Sequence, residues 1–182
     1  MDPALPHLVV NADGTLAGGA DTTGLHPGVA RVATALAGLG VAGTVRELPD
    51  RAATAAAAAA LLGVEVGAIA NSLVFDADGE PLLVLTSGAH RADTMTLAGI
   101  VDAREVRKAS ADFVRSATGQ PIGGVAPVGH PKPLRTLVDV DLSRYEVVWA
   151  AGGHPHYVFP TTYDELLRIT AGEAAEVGEQ PE

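Results

Sequence analysis

The sequence predicts a single α+β domain, and three features carry that prediction. The run VGAIANSLVFDADGEPLLVLTSG holds two strand-like stretches around an Asp78-Gly79 turn, the pattern of a hairpin. Three more strand-like stretches, LRTLVDVDL, YEVVWAAGG and HYVFPTT, follow one another late in the chain without a helix between them. Helical patterns are scattered among these strands instead of alternating strictly with them. Neighbouring strands can therefore pair antiparallel, which favours α+β over a doubly wound parallel sheet.

Each element has a local reason. The opening MDPALPHLVVNADGTLAGGADTTG is rich in Gly, Asp and Thr and lacks a period, so residues 1–25 are expected to form a loose arm or short hairpin. HPGVARVATALAGLG has helical apolar spacing, Pro27 near its start and glycine at its end. AGTVRELP follows as a strand closed by Pro49. DRAATAAAAAALLG should be helical because alanine is the strongest helix former, with Asp50 as the expected N-cap and Gly63 as the stop. After the hairpin, RADTMTLAGIV suits a helix and AREVRKA a short strand. SADFVRSATG suits a helix capped by Ser110 and ended by Gly119. TYDELLRITAG, opening at Thr161 or Thr162, is the last expected helix. Residues 26–172 thus form the domain, and residues 173–182, with Glu173, Glu176, Glu179 and Glu182, are expected to be an acidic flexible tail.

Composition narrows the function. A length of 182 residues suits one core, and 47% hydrophobic against 19% charged residues argues against global disorder. The apolar runs are too short to span a bilayer, so no membrane association is expected. The N-terminus has no basic stretch of the kind that opens a signal peptide, and there is no cysteine. A cytoplasmic protein is the simple expectation, and thiol nucleophiles and zinc-thiolate sites are excluded. A net charge of −10 speaks against a broad nucleic-acid-coating surface. Local contact stays open, because Arg104, Arg107, Lys108, Arg115, Lys132 and Arg135 gather in one stretch.

The common phosphate, zinc-protease and serine-hydrolase signatures are missing. His154 and His156, in HPH, could share one strand face and a metal, but no third ligand stands at a recognisable spacing, so no metal or other cofactor is expected. The distinctive stretch is SATGQPIGGVAPVGHPKPLRT, where four glycines alternate with four prolines. Glycine lets another group approach the main chain, and proline restricts the loop before anything binds. Such a loop either offers preorganised backbone groups to a small polar substrate or oxyanion, or is a tight connector.

TGQPIGGVAPVGH resembles the signature of the YbaK/EbsC-type aminoacyl-tRNA deacylases, the family of the prolyl-tRNA synthetase INS-like editing domain. The resemblance extends in order through IANSLVFDADGEPLLVLTSGAHRAD, SADFVRSATG, TLVDVDL and VVWAAGGHPHYVFPTTYDELLRITAG, roughly residues 29–172. It implies a curved, mixed, mostly antiparallel sheet with flanking helices around a small pocket. It also implies hydrolysis in trans of the ester of a mischarged tRNA, with the tRNA acceptor end as partner and an aminoacyl-tRNA synthetase as a further one. Residues 123–127 would receive the aminoacyl group, and a tRNA hydroxyl would assist in place of a protein base. Where the family carries a lysine in the first hairpin strand, this chain has Asn71, which bonds hydrogen but brings no charge. The alternative is therefore a catalytically inactive protein that binds aminoacyl-tRNA or a small ligand on the same fold.

On this resemblance Asn71, Gly123, Gly124 and His130 are the candidate catalytic residues. Ser72, Thr86, Ser87, Val125, Ala126, Pro127, Gly129, Asp139, Gly152 and Gly153 are candidates for binding the substrate. Several have a second reading. His130 is either an acid/base or a loop histidine. Asp139 either binds an ammonium group or caps a turn, and Thr86 and Ser87 either line the pocket or simply end a strand. Trp149 reads as core.

Overall fold

The computed structural model describes residues 7–8, 26–41 and 44–179. The arm expected over 1–25 lies outside them except for β1 (His7–Leu8), which pairs antiparallel with β2 (Val45–Glu47). The chain continues from α1 (Pro27–Gly38) through β2 to α2 (Ala55–Leu62), β3 (Ile69–Ala77) and β4 (Glu80–Ser87). Next come β5 (Arg91–Ala92), α3 (Thr94–Val101), β6 (Val106–Lys108) and α4 (Ala111–Thr118). The last elements are β7 (Arg135–Asp139), β8 (Val148–Ala151), β9 (Tyr157–Thr161), α5 (Tyr163–Thr170), β10 (Glu173–Ala175) and β11 (Gly178–Glu179).

Nine strands form a mixed sheet in the order β1-β2-β9-β8-β3-β4-β7-β10, with β6 also pairing to β3, and β5 and β11 form a separate two-stranded sheet. Hairpin neighbours run antiparallel, while β3–β8, β4–β7 and β7–β10 are parallel. The architecture is the expected α+β one. Successive strand residues point to opposite faces, and β4 shows the consequence. Leu83 and Leu85 pack with Val29, Val32, Val114 and Leu166 from α1, α4 and α5. Leu82 and Val84 pack on the other face with Leu97 of α3 and Val177. The alanine helix α2 forms a third cluster with Ile69, Trp149 and Val158.

Caps follow local chemistry. Ser110 and Thr162 accept from the N–H groups of Phe113 and Glu165, and Asp78 and Gly79 take the positive φ values of a tight hairpin turn. Two expectations are corrected. The N-cap of α2 is Thr54, whose hydroxyl accepts from Ala57 N–H at 3.1 Å, because Ala52 is held outside the helix by its N–H bond to the Pro155 carbonyl. Residues 173–179 do not form a free tail: β10 pairs with β7, and β11 pairs with β5. The cause is apolar alternation hidden among the glutamates. Ala175 and Val177 are buried, and a fully buried valine contributes about 1.5–3 kcal/mol, enough to hold a short strand down.

Candidate functional site

The site forms where the sheet parts. Ile69 and Ala70 of β3 pair with Trp149 and Ala150 of β8, and residues 75–77 pair with β6 on the same side. Between those contacts, residues 71–74 are paired on one side alone, to β4. Their other edge faces a cavity of about 390 Å³. That size falls in the usual range for small-molecule sites, roughly 300–1,000 Å³. Because the gap runs through the sheet, its walls come from both layers. Ala52, Ala58 and Trp149 belong to one side, and Val114, Val125 and Ala150 to the other. The lining contains Asn71, Ser72, His154, Tyr157 and Lys108 and, among the described residues, no Asp or Glu.

The Gly/Pro loop forms one wall, through Ile122, Gly123 and Val125. Residues 124–128 are buried, so the loop is not a surface strap. Gln120 braces it from inside: its Oε1 accepts from Ala126 N–H at 2.6 Å and its Nε2 donates to the Val128 carbonyl at 3.2 Å. Gly124 is required by close approach, since a Cβ there would meet the backbone of His154 at 2.7 Å. At Gly153, φ is +97° and a Cβ would sit 2.7 Å from the Gly28 carbonyl oxygen. Loop, α1 and the turn after β8 therefore lock together main chain to main chain. Among the described residues, the N–H groups of Gly123 and Val125 find no acceptor, whereas Gly124 N–H bonds the Pro121 carbonyl.

Of the residues picked out in the sequence, Asn71, Ser72, Gly123 and Val125 meet at this cavity. The Ser72 hydroxyl is buried and has no partner among the described residues. Gly124, Ala126, Pro127 and Gly129 support the wall without lining it, and Gly152 and Gly153 hold the turn behind it. His130 also stands outside the lining. Its Nε2 donates to the Ala126 carbonyl at 2.7 Å, and burial lowers its pKa, partly opposed by that bond.

Asp139, Thr86 and Ser87 lie elsewhere. Asp139 is 1% exposed and borders a second hollow of about 200 Å³ with His90, Asp141 and Glu176. Its Oδ2 accepts from Ser87 N–H at 3.0 Å and lies 2.9 Å from His90 Nδ1, while its Oδ1 accepts from Asp141 N–H at 3.0 Å. The Ser87 hydroxyl donates to the Gly67 carbonyl. Thr86 is cross-strand neighbour to Asn71, but its hydroxyl is buried without a partner and does not line the cavity.

Sequence reasoning missed Lys108, His154 and Tyr157 as cavity residues, and it gave Trp149 a core role alone. Trp149 is both core and wall, with the Arg46 guanidinium 5.1 Å over its ring. His154 and His156, considered as a metal pair, are instead stacked 5.5 Å apart, and His154 Nδ1 accepts the N–H of His156 at 3.2 Å. The His154 pKa is lowered by burial first, then by the charges of His26, His156 and Arg51. Burial thus favours the neutral ring, and the acceptor role of Nδ1 places its proton on Nε2. Burial, followed by the Glu47 charge, raises the pKa of Tyr157.

Comparison with known proteins gives this geometry a context. A family model described as the aminoacyl-tRNA editing domain matches residues 50–169. The uncharacterized protein YwhH of Bacillus subtilis is 31% identical over 127 residues, covering 69% of this chain and 80% of that protein. The proline--tRNA ligase of Maridesulfovibrio salexigens is 36% identical over 93 residues, 51% of this chain. This chain spans only 16% of that ligase's length and 20% of the similar ligase of Nitratidesulfovibrio vulgaris. A solved structure described as a candidate trans-editing enzyme for prolyl tRNA synthetase superposes with TM-score 0.80 at 42% identity, covering 85% of this chain and 99% of that one. The hypothetical protein APE2540 gives TM-score 0.76 at 29% identity, over 82% and 99% of the two chains.

Proposed function

The chain belongs to the aminoacyl-tRNA editing domain family, and from that premise we propose that it is a trans-acting deacylase that hydrolyses the ester of a mischarged tRNA. The observation that carries this reading is the concentration of unpaired polar groups around one cavity. The open edge of residues 71–74 borders it, Gly123 and Val125, whose N–H groups find no acceptor among the described residues, line it, and the buried Ser72 hydroxyl has no partner among them either. Buried polar groups normally find partners inside the protein, so a cluster without them suits a ligand that supplies the partners.

The aminoacyl group enters between α2 and the Gly/Pro loop, with its ester carbonyl near Gly123. Water adds to the carbonyl carbon, and the Gly123 and Val125 N–H groups stabilise the resulting oxyanion. The ester C–O bond then breaks, and the proton from the water passes to the departing ribose oxygen. The neighbouring tRNA hydroxyl relays it, since the lining supplies no carboxylate base among the described residues. Asn71 orients the ester through its amide. Aminoacyl esters are intrinsically labile, so positioning and charge stabilisation suffice.

A second reading has one specific observation behind it: Asn71 brings no charge to the β3 edge, which fits a protein that binds an aminoacylated end without cleaving it. Purified protein tested against several mischarged tRNAs, with an Asn71→Lys variant alongside, separates the two. Turnover by the wild type supports the deacylase. Activity confined to the lysine variant supports the binding protein. The tRNA acceptor end is the partner in both readings, and a synthetase that recruits the protein is a further one.

A further inference from the structure

The cavity carries a cation that the catalytic account leaves unused. Lys108 ends β6 opposite Phe75 of β3 and lines the cavity, although it lies 37 residues from Asn71 in sequence. Its strand is pinned on both sides. Val106 is buried in the core beside Phe75, and Arg107 is tied to the Asp76 carboxylate at 3.1 Å. Lys108 is therefore delivered to the mouth of the cavity by a fixed strand and not by a wandering loop.

Among the described residues the Lys108 ammonium has no carboxylate or carbonyl partner. Its strand neighbour Arg107 is by contrast ion-paired with Asp76. Among the described residues, the cavity lining has no carboxylate that could neutralise Lys108. The positive charge of Arg51 acts on the cavity residue His154, and the negative charge of Glu47 on Tyr157. Lys108 is the charged side chain that lines the cavity itself among the described residues.

The spacing also has a meaning. Phe75, the partner of Lys108, is four residues along β3 from Asn71 and on the same face. At about 3.3 Å per residue that is roughly 13 Å of strand. The two polar positions lie at separate stretches of the cavity, with the apolar Leu73, Val74 and Phe75 of its lining between them. We propose that Lys108 binds the phosphate of the substrate's terminal nucleotide while the Asn71–Gly123 end receives the acyl group. This rests on the deacylase or aminoacyl-end reading of the same cavity. It adds a phosphate subsite, which makes the nucleotide, and not the amino acid alone, part of what is recognised.

The test uses ligands that need no turnover. Adenosine 5′-monophosphate, adenosine and inorganic phosphate are titrated into the full-length protein at low salt, with chemical shifts or heat as the readout. The same titrations are run on Lys108→Gln and Lys108→Arg. The nucleotide should bind about tenfold more tightly than adenosine, as one charge-assisted contact implies, and inorganic phosphate should bind more weakly than the nucleotide. Lys108→Gln should bring nucleotide and adenosine to equal affinity without shifting Tm, and Lys108→Arg should keep most of the preference. Equal affinity in the wild type, an unchanged preference in Lys108→Gln, or no nucleotide binding would each overturn the phosphate subsite. A protein that shows the preference but turns over no aminoacyl-tRNA would refute the deacylase while leaving this inference standing.

Discussion

The two hollows of the molecule differ in how their polar groups are satisfied. Around Asp139 the carboxylate's exchanges are internal. It takes two main-chain N–H groups and the His90 ring, and the other His90 nitrogen lies against Asp141 without a hydrogen bond. Around Asn71 the reverse holds, with a strand edge, a buried hydroxyl and two loop N–H groups lacking partners among the described residues. The sequence marks both as polar residues at strand ends. In the first set the carboxylate is satisfied and holds the fold. The second is incomplete and needs something from outside.

The sharpest way to break this contrast is Asp139→Ala. It would leave two N–H groups and a histidine buried without their acceptor, at a cost of about 3–5 kcal/mol. Thermal unfolding should show a correspondingly large fall in Tm. A loss under about 1 kcal/mol, the size of an ordinary exposed pair, would mean that the Asp139 node is no more structural than the cavity.

Gln120→Ala should cost less, about 1–3 kcal/mol, because it orphans the Ala126 N–H and the Val128 carbonyl. Unlike Asp139→Ala, it should also slow deacylation at temperatures where the variant stays folded, since Gln120 shapes the wall that holds Gly123 and Val125. A variant with lower Tm and an unchanged rate would show that the loop's exact shape is irrelevant to the site.

The smallest expected effect comes from His130. Its folded pKa is lowered by burial below the ordinary value of 6.5, so below that pH the unfolded chain takes up the proton first. Stability is fully present above pH 6.5 and is lost as the pH falls through the lowered folded value. Denaturant titrations from pH 7.5 to 5 should show that decline, and His130→Gln should flatten it. An equally steep acid limb in the variant would assign the decline to other groups.

Much of the fold was legible because it is written locally. The Asp78-Gly79 turn, the caps at Ser110 and Thr162 and the alternation of β4 each act over a few residues. The tail was misjudged because its two buried residues, Ala175 and Val177, are small signals among glutamates. Asn71, Ser72, Gly123 and Val125, which line one cavity, were singled out together because a family resemblance preserved their order. Asp139 was misplaced toward the cavity because strand order is not local. β4 stands between β7 and β3, which puts Asp139 two strands, roughly 10 Å, from the open edge. Lys108 and His154 were missed for the same reason: only the register of β6 on β3 and the packing of Gly124 on His154 bring them to the cavity.

The central claim is that the unpaired groups of the cavity act on an aminoacyl ester. Single-turnover deacylation of a mischarged tRNA by the wild type and by Asn71→Ala, both with unfolding curves in hand, tests it most directly. The rate should fall about 10²-fold in the variant, as for loss of one preorganised donor, with Tm unchanged because the Asn71 side chain bonds nothing among the described residues. An unchanged rate, or a rate that falls only in step with stability, would contradict the account.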